Sequence, residues 1–517
     1  MSYNASREKR VIKPLWPCIS RARQARQIRF RVLNNSVKFY HKEALPRRVP
    51  GRSNGYTSRR SLGRLFHRAN PHERVIRIVS QRIDALICPR WTIAVEPDTK
   101  VQEDLVVAID KGRILALLTR AEATERFEPD ALHERPDHVL LPGLVNAHTH
   151  AAMCLMRGYA DDVPLSVWLK ERIWPAETSL VSPDFVADGT RLAVAEMLRG
   201  GTSCFADMYF FPNKVADVAV ETGIRAAVGM IAIEFPSSWA ATPDEYISKG
   251  LAVHDAYRAN PLVSTFFAPH APYSVSDQTL LRIRQLADEL EVPVQMHVHE
   301  TAQEVADAIS ESGQRPLQRL EELGLLNSAL IAVHATQLLD SEIEALALAG
   351  SSVVHCPRSN LKLASGACPV AELLAAGVNI ALGTDGAASN NRLDLWAEMN
   401  TAALFGKQIA QNPEAIPAST ALKMATINGA RALGLADEIG SLVAGKSADM
   451  ICVELTEAAV RPVLNPLSQL VYCVGREHVT DVWVAGEHLL AAGSLTRMEL
   501  EPILDRADQW GERILDS

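Results

Sequence analysis

The sequence predicts an α/β fold in which a (β/α)8 barrel of the TIM type is combined with a small β-sandwich domain. Three observations support this prediction. Strand-like apolar runs alternate with amphipathic helices through the middle of the 517-residue chain. Segments rich in short strands lie on both sides of that middle region. Histidines and acids follow the ends of the apolar runs, where barrels of this class place their chemistry.

The chain begins with a basic head, residues 1–74. It carries 19 lysines and arginines against 3 acids, a balance of +16, although the whole chain has a net charge of −8. Because the head shows little apolar periodicity, we predict a disordered extension that takes no part in the chemistry, such as translation from upstream of the true start. An arm that binds a polyanion and a transit-type segment are the alternatives.

The next segment, 75–140, and a later one, 437–495, share a β-rich texture. Both contain short β-branched runs that are broken by turn residues such as Asp110, Lys111 and Gly112. We therefore predict that they form one composite β-sandwich domain. Residues 496–517 are predicted to add a C-terminal helix.

Residues 141–436, between these segments, are predicted to form the barrel. Helical patterns such as "DQTLLRIRQLADELE" and "DSEIEALALAG" separate its strands. A doubly wound sheet is the alternative if the strand count is wrong by one. The eight strand candidates are "LVNAHTH", "TSCFADM", "IRAAVGMIA", "VSTFFAPHAP", "VPVQMHVHE", "LIAVHATQ", "SSVVHCPRS" and "VNIALGTDG".

Metal-binding residue types follow these strands. Since side chains alternate along a strand, His148 and His150 point to the same face. A lone histidine in an apolar strand is more often a core residue, but several unpaired polar groups buried together would each cost about 1–3 kcal/mol. A shared metal removes that cost. The residues concerned are His148, His150, His270, His297, Glu300, His334 and Asp385.

Three histidines and one aspartate form a plausible ligand set for one divalent ion, most simply Zn²⁺. The candidates are His148, His150, His297 and Asp385. Zinc lowers the pKa of a bound water toward about 7, which supplies a nucleophile at neutral pH. The strand ends offer no lysine suited to bridging a second metal.

Two further acids and bases are placed around this set. Glu300, three residues after His297, is predicted to shuttle protons at the rim, and His334 to orient the water or stabilise charge. His299 and His355 are predicted not to be ligands, because the set is complete without them.

Cysteine usage and hydropathy bear on the compartment. The eight cysteines are scattered without a Cys-x-x-Cys pair, which indicates reduced thiols and a cytoplasmic protein. No apolar run reaches the roughly 18 residues that a membrane span needs, so we expect no membrane partner.

These motifs together resemble the amidohydrolase superfamily over most of residues 80–490. "PGLVNAHTH", "MHVHET", "AVHA", "HCPRSNLKL" and "LGTDGAASNN" are similar to the motifs of its cytosine/adenine deaminase and triazine chlorohydrolase branch. "GYADDVPLSVWLKERIWPAE", "GTSCFADMYFF" and "FAPHAPYSVSD" are most similar to the 5-methylthioadenosine/S-adenosylhomocysteine deaminase family.

The resemblance implies hydrolytic deamination of an adenosine derivative, with a small-molecule nucleoside as partner and a homodimer as a reasonable state. Glu300 would protonate the purine ring, His334 would stabilise the adduct, and Asp385 would pass a proton to the departing ammonia. Glu177 would bind the ribose hydroxyls and His270 would contact the nucleoside. From the sequence alone, Glu177 fits a surface carboxylate on a helix equally well.

One further sequence pattern bears on which substituent the substrate carries at its 5' carbon. The segment "IAIEFPSSWAATPDEYISKG" before the fourth strand has no arginine and only Lys249, although a homocysteine carboxylate normally needs a cation. We therefore predict a preference for 5'-methylthioadenosine over S-adenosylhomocysteine. Leu155, Met156 or Trp168 would contact the methylthio group.

Two alternative functions stay open. A related enzyme would act on a nucleobase or triazine ring, as a guanine-type deaminase or a chlorohydrolase. A non-catalytic binding protein would use the basic head on nucleic acid, which the retained acids and histidines make less favoured.

Overall fold

The structure is a computed structural model that describes residues 80–515. The prediction for residues 1–74 lies outside the described residues. Within them, no helix combines the length and the apolar character required to cross a bilayer. The strands are β1 (Gln81–Ile93), β2 (Val101–Glu103), β3 (Leu105–Asp110), β4 (Arg113–Thr119), β5 (Phe127–Pro142), β6 (Leu144–Thr149), β7 (Thr202–Asp207), β8 (Arg225–Ala232), β9 (Val263–Pro269), β10 (Val294–Val298), β11 (Leu330–His334), β12 (Ser352–His355), β13 (Asn379–Leu382), β14 (Met450–Glu454), β15 (Val479–Val484), β16 (Glu487–Ala491) and β17 (Ser494–Leu495).

Helices connect most of the strands. The α-helices are α1 (Arg120–Arg126), α2 (Leu165–Val167), α3 (Trp174–Leu180), α4 (Pro183–Arg199), α5 (Pro212–Thr222), α6 (Pro243–Tyr257), α7 (Asp277–Leu290), α8 (Ala302–Ser312), α9 (Pro316–Glu322), α10 (Asp340–Ala349), α11 (Pro357–Lys362), α12 (Val370–Ala375), α13 (Ala387–Asn390), α14 (Leu395–Ile409), α15 (Ala418–Met424), α16 (Ile427–Ala432), α17 (Pro466–Tyr472) and α18 (Leu500–Leu515). Short 3-10 helices lie at Ala151–Met156, Pro272–Ser274, Ala458–Val460 and Arg476–His478, and a π-helical stretch spans Trp168–Ile173.

Local sequence signals set the ends of these helices. Helix α4 begins where the Ser182 hydroxyl accepts a hydrogen bond from the Phe185 amide, with a proline at its first position. Helix α8 begins where the Thr301 hydroxyl accepts a hydrogen bond from the Glu304 amide, and it ends at Gly313, whose φ of 75° is left-handed. Capping of this kind satisfies amide and carbonyl groups that the helix itself leaves unpaired.

Strands from both ends of the described chain form one sheet. Its hydrogen-bonded order is β17-β16-β15-β14-β5-β1-β3-β4, with β2 paired to β1. Strand β5 pairs parallel with β1 and antiparallel with β14, so it joins the two halves of the sheet. This sheet domain, separate from the barrel, confirms the architecture that the two matching β-rich segments predict.

The eight predicted barrel strands are all present. Strands β6 to β13 form a parallel sheet in chain order, and each strand is followed by at least one helix. The first and last strands approach each other: the Asp385 amide donates to the His148 carbonyl oxygen at 3.0 Å. A Cβ atom on Gly383 would lie only 2.8 Å from the His148 Cβ, so only glycine allows this close approach. The (β/α)8 prediction is confirmed.

The barrel and the sheet domain are joined by a buried ion pair. Arg225, at the start of β8, meets Asp449, directly before β14, with Nε–Oδ2 and Nη2–Oδ1 distances of 2.9 and 3.1 Å. Both side chains are almost fully buried. The pair lies at the amino ends of the barrel strands, on the opposite side from the predicted site.

Candidate metal centre and active site

Three histidines converge at the carboxyl ends of β6 and β10. The imidazole rings of His148 and His150 lie 4.8 Å apart, as the strand period predicts. His297, on β10, places its Nε2 atom 3.2 Å from the Nε2 of His148. The three residues form a group whose ligand atoms lie within 4.8 Å of one another and could hold a metal ion.

The three imidazole rings all donate a hydrogen bond from Nδ1. The Nδ1 of His150 lies 2.6 Å from the Met208 carbonyl oxygen, and that of His297 lies 2.8 Å from the His270 carbonyl oxygen. A carbonyl oxygen only accepts, so each Nδ1 carries a proton, which leaves Nε2 as the ring atom that can bind a metal ion. Hydrogen bonding of the outer nitrogen in this way is the usual support for a metal-binding histidine.

Gln295 fixes the tautomer of His148. Its amide nitrogen donates to the Ala147 carbonyl oxygen at 2.9 Å, which turns the amide oxygen toward the Nδ1 of His148 at 2.7 Å. The Nδ1 proton of His148 is therefore the donor, and its Nε2 faces the centre. Three imidazole Nε2 atoms that face one point are suitable ligands for a borderline divalent cation such as Zn²⁺.

Asp385 lies against this group. Its Oδ1 atom is 3.1 Å from the Nε2 of His150 and 3.6 Å from that of His148, while Oδ2 accepts from the Ser359 and Ser389 hydroxyls at 2.6 and 2.8 Å. Its φ of 62° is left-handed. Strain of this kind on a non-glycine residue is typical of functional positions, and here it turns the carboxylate into the barrel mouth.

The charges of these groups suit a cation. Burial lowers the pKa of His148 to about 4 and that of His297 well below its usual value, so both are neutral. Burial opposes a charge on His150, but Asp385 outweighs it and raises the pKa of His150 to about 9. The pKa of Asp385 is held well below its ordinary range by its histidine partners despite burial. A cation at the Nε2 of His150 would replace the proton there.

Glu300 and His334 face each other beside the histidines. Their Oε2 and Nε2 atoms lie 3.8 Å apart, and Asn360 contacts the Nδ1 of His334 at 3.0 Å. Burial, reinforced by the negative charge of Asp385, raises the pKa of Glu300 to about 8. Glu300 is therefore a carboxylic acid that keeps its proton near neutral pH.

Glu177 and His270 are not members of the three-histidine group. Glu177, on α3, accepts a hydrogen bond at 2.7 Å from the hydroxyl of Tyr209, and burial raises its pKa to about 7. The ring of His270 lies 5.0 Å from that of His297, and its Nδ1 is 2.9 Å from the Ser274 hydroxyl. Both residues face the cavity described next, so the structure gathers all the predicted site residues at one end of the barrel.

One cavity opens onto these groups. Among the described residues that line it, none is lysine or arginine. The apolar part of the lining is Met153, Leu165, Trp168, Leu169, Ile173, Trp174, Met208, Phe210, Ile231, Ile233, Phe235 and Leu363. The polar part is His150, Glu177, Tyr209, His270, Tyr273, His297, Glu300, His334, Asp385 and Ser389. A mostly apolar wall with a few convergent polar groups is typical of a small-molecule site.

Of the three residues predicted to contact the methylthio group, one lines the cavity and two do not. Trp168 lines the cavity, and its buried Nε1 has no hydrogen-bond partner in the described part of the chain. Leu155 and Met156 are buried but are not among the lining residues. Lys249 donates to the Trp239 carbonyl oxygen at 2.5 Å and pairs with Glu245, so its charge is used elsewhere.

His299 and His355 lie outside the histidine group. The left-handed φ of His299, 55°, breaks the strand period, so its Nε2 accepts from the Leu317 amide at 3.1 Å instead of facing His297. His355 is buried at the end of β12, and its Nδ1 has no partner in the described residues.

Several residues of the site have no sequence signal of their own. Gln295, Ser359 and Tyr209 are common residue types whose contacts cross from one βα unit to another. Tyr209 lies in the "FADMYFF" motif, which was informative only as part of the resemblance. Contacts between distant units cannot be read from a local pattern.

Replacement of Gln295 should weaken metal binding. Gln295→Leu removes the acceptor that holds the Nδ1 proton of His148, so the ring is free to rotate or change tautomer. We expect the dissociation constant for Zn²⁺, measured by competition with a chelator, to rise roughly 10- to 100-fold. Gln285→Leu, an exposed glutamine on α7, is the matched control and should leave the constant unchanged. Equal zinc affinity of the Gln295 variant and the unaltered protein would contradict this role.

Comparisons with known proteins agree with this geometry. The Amidohydrolase family matches residues 139–489. The chain is 48% identical over 432 residues to a protein of Teredinibacter turnerae named 5-methylthioadenosine/S-adenosylhomocysteine deaminase, covering 84% of this chain and 98% of the relative. A relative of the same name from Saccharophagus degradans is 46% identical over 431 residues, which cover 83% of this chain and 97% of that protein.

Solved structures show the same fold. An adenosine deaminase from Xanthomonas campestris with bound zinc is 51% identical, has a TM-score of 0.84, and aligns over 85% of this chain and 100% of its own. An atrazine chlorohydrolase from Arthrobacter aurescens has a TM-score of 0.77 at 24% identity, over 82% of this chain and 99% of its own, which shows the fold alone. With its barrel, its histidine group and these relatives, the chain belongs to the amidohydrolase family.

Proposed function

We propose that this protein hydrolytically deaminates an adenosine derivative to the inosine derivative and ammonia, with 5'-methylthioadenosine as the preferred substrate. One observation carries the proposal: an ionised aspartate, a protonated glutamic acid and a group of three histidines that could hold a metal ion lie together, and all of them except His148 line a single cavity. Hydrolytic deamination requires an activated water, a proton donor to the ring and an acceptor for the water proton. These groups match those three requirements.

The residues fit one divalent metal ion, for which we propose zinc. His148, His150 and His297 would hold it with their Nε2 atoms, and Asp385 would be the fourth ligand. The ion would supply Lewis acidity, which makes a water molecule a nucleophile at neutral pH. The nitrogen-rich donor set favours zinc over magnesium or calcium, which prefer oxygen ligands.

Three side chains would move or stabilise charge. Glu300, protonated near neutral pH, would give its proton to the purine ring nitrogen while water adds to C6. Asp385, whose Oδ2 is held by two serines, would accept the water proton and pass it to the departing amino group. His334, neutral because burial lowers its pKa to about 4, would stabilise the oxygen that forms at C6 by a hydrogen bond.

The sugar would bind at the far side of the cavity. Glu177 is a carboxylate acceptor that suits the two hydroxyls of a ribose, and His270 lines the same cavity with its ring 5.0 Å from that of His297. The free Nε1 of Trp168 offers a donor in the same wall. A nucleobase or triazine has no diol, so a carboxylate in the cavity wall favours a nucleoside over those alternatives.

The cavity lining supports a small apolar substituent at the 5' carbon. A homocysteine tail carries a carboxylate and an ammonium group, and burying either without a partner is costly. The described lining offers no lysine or arginine for the carboxylate. A methylthio group, in contrast, carries no charge, so packing it against leucine, isoleucine and tryptophan side chains has no such cost.

A substrate panel tests the proposal. Ultraviolet monitoring of the change from adenine to hypoxanthine should give the highest kcat/KM for 5'-methylthioadenosine, then adenosine, and at least about tenfold less for S-adenosylhomocysteine, as expected for one unpaired buried charge. Metal analysis of the same sample should give one zinc per chain. A higher kcat/KM for S-adenosylhomocysteine would overturn the preference, and turnover of guanine or a chlorotriazine alone would favour the alternative enzymes.

The proposal includes a cytoplasmic location for the protein. The seven cysteines in the described residues are all free thiols, and six of them are buried. Free thiols are typical of a reducing compartment, which supports a cytoplasmic location. The homodimer and the absence of a nucleic-acid partner stay predictions from the sequence.

A further inference from the structure

A helical segment, residues 165–180, forms one wall of the cavity. It begins as α2, continues through the π-helical stretch and ends as α3. The π-helical turn adds one residue to the register, so that side chains on both sides of it face the cavity. Those side chains are Leu165, Trp168, Leu169, Ile173, Trp174 and Glu177. The exposed Lys170, Glu171 and Arg172 point to solvent.

This wall has one polar connection to the barrel. Tyr209, two residues after β7 and almost fully buried, donates its hydroxyl proton to the Oε1 of Glu177 at 2.7 Å. Among the side chains that the structure describes in residues 165–180, Glu177 alone hydrogen-bonds a side chain outside the segment. The remaining contacts of the wall are apolar and do not define a direction for the carboxylate.

The hydrogen bond leaves a defined part of Glu177 free. A phenol has a single proton to donate, so Tyr209 occupies one lone pair of Oε1. The Oε2 atom has no partner in the described residues. The carboxylate of this cavity-lining residue is thereby held with one oxygen engaged and the other without a partner in the described residues, an arrangement suited to hydroxyl donors.

We propose that Tyr209 is a positioning residue that sets the specificity of this site for substrates with a vicinal diol, by fixing the Glu177 carboxylate. The proposal rests on the function proposed above, because it assigns Glu177 to the sugar. Tyr209 acts through Glu177 and takes no part in the chemical step at C6. Its loss should therefore weaken binding of the diol and leave the reaction of a bound substrate largely unchanged.

Tyr209→Phe tests this role with a pair of substrates. We expect kcat/KM for 5'-methylthioadenosine to fall about tenfold, mainly through KM, as expected for one hydrogen bond to a charged group. For 2',3'-dideoxyadenosine, which lacks both hydroxyls, kcat/KM should change less than about threefold, because Glu177 has no diol to bind. In a Glu177→Gln background, Tyr209→Phe should add little, since the two residues act as a unit.

A matched control is available in the chain. The hydroxyl of Tyr257, on α6, hydrogen-bonds the carboxylate of Asp217 on α5, away from the cavity. Tyr257→Phe removes the same kind of hydrogen bond and should leave both substrates unaffected. Circular dichroism and the melting temperature of each variant show whether the fold is kept, and the Glu177→Gln series provides an independent route to the same coupling.

The possible results distinguish failure of the role proposed for Tyr209 from failure of the proposed deaminase function. Equal losses on both substrates, or a loss confined to kcat, would show that Tyr209 has a general structural or chemical role and would overturn the proposal. Unchanged kinetics of Tyr209→Phe would also overturn it and would leave the deaminase function standing. If the unaltered, metal-loaded protein deaminates no adenosine derivative, the proposed function and the role of Tyr209 both fail.

Discussion

Glu300→Gln should reduce kcat for the preferred nucleoside by about 10²- to 10⁴-fold, the usual contribution of a positioned general acid. The amide has nearly the same shape as the protonated acid and can still donate a hydrogen bond to the ring nitrogen. It cannot transfer a proton. Because Glu300 is not among the proposed metal ligands, the variant should bind zinc as the unaltered protein does. Steady-state kinetics and metal analysis on the same preparation measure both quantities.

The pKa of Glu300 gives this prediction its physical basis. An exposed glutamic acid would be ionised at neutral pH and would repel the ionised Asp385 nearby. Burial and that negative charge raise the pKa of Glu300 to about 8, so the acid form is available where the reaction takes place. Glu311→Gln, an exposed carboxylate on α8, is the control and should keep full activity. If Glu300→Gln retained kcat within threefold, another residue would be the acid.

Asp449→Ala should destabilise the protein by about 3–5 kcal/mol, the usual cost of leaving a buried charge without its partner. The Arg225 guanidinium would keep only the Pro261 carbonyl oxygen and the Ser447 hydroxyl as partners. The Ala485 amide, which donates to Asp449 at 2.8 Å, would also lose its acceptor. Equilibrium unfolding in urea measures the change in the free energy of unfolding.

A double variant distinguishes the missing charge from simple loss of packing. In Arg225→Met combined with Asp449→Leu, both charges are removed and apolar volume is kept, so much of the stability should return. The exposed pair of Arg497 and Glu487 provides the control, because Glu487→Ala should change stability little. Equal stability of Asp449→Ala and Glu487→Ala would show that the buried pair does not hold the barrel and the sheet domain together.

The elements of the fold were predictable because their signals are local. Each of the eight barrel strands is an apolar run between turn residues, and burial on both faces of a parallel sheet gives such runs. Helix α7 follows from its amphipathic spacing. The composite sheet followed from the texture of two distant segments, although only the structure shows that β5 links them.

The candidate site was predictable in its residue types and only partly in its contacts. The strand period placed His148 and His150 on one face, and the position of His297, Glu300, His334 and Asp385 after strands placed them at one barrel end. The same period also left His299 as a candidate. Its left-handed backbone excludes it, and a local turn conformation of that kind has no clear mark in the sequence.

Periodicity and strand termini are properties of neighbouring residues, so the amino-acid sequence alone predicts the barrel, the composite sheet and the residue types that gather at the strand ends. The three-dimensional contacts are needed to show which nitrogen of each histidine can bind a metal ion, since Gln295 and the carbonyl partners come from other βα units. They also show that Tyr209 holds Glu177, across 32 residues of chain. Packing brings such partners together, and no pattern along the chain records it.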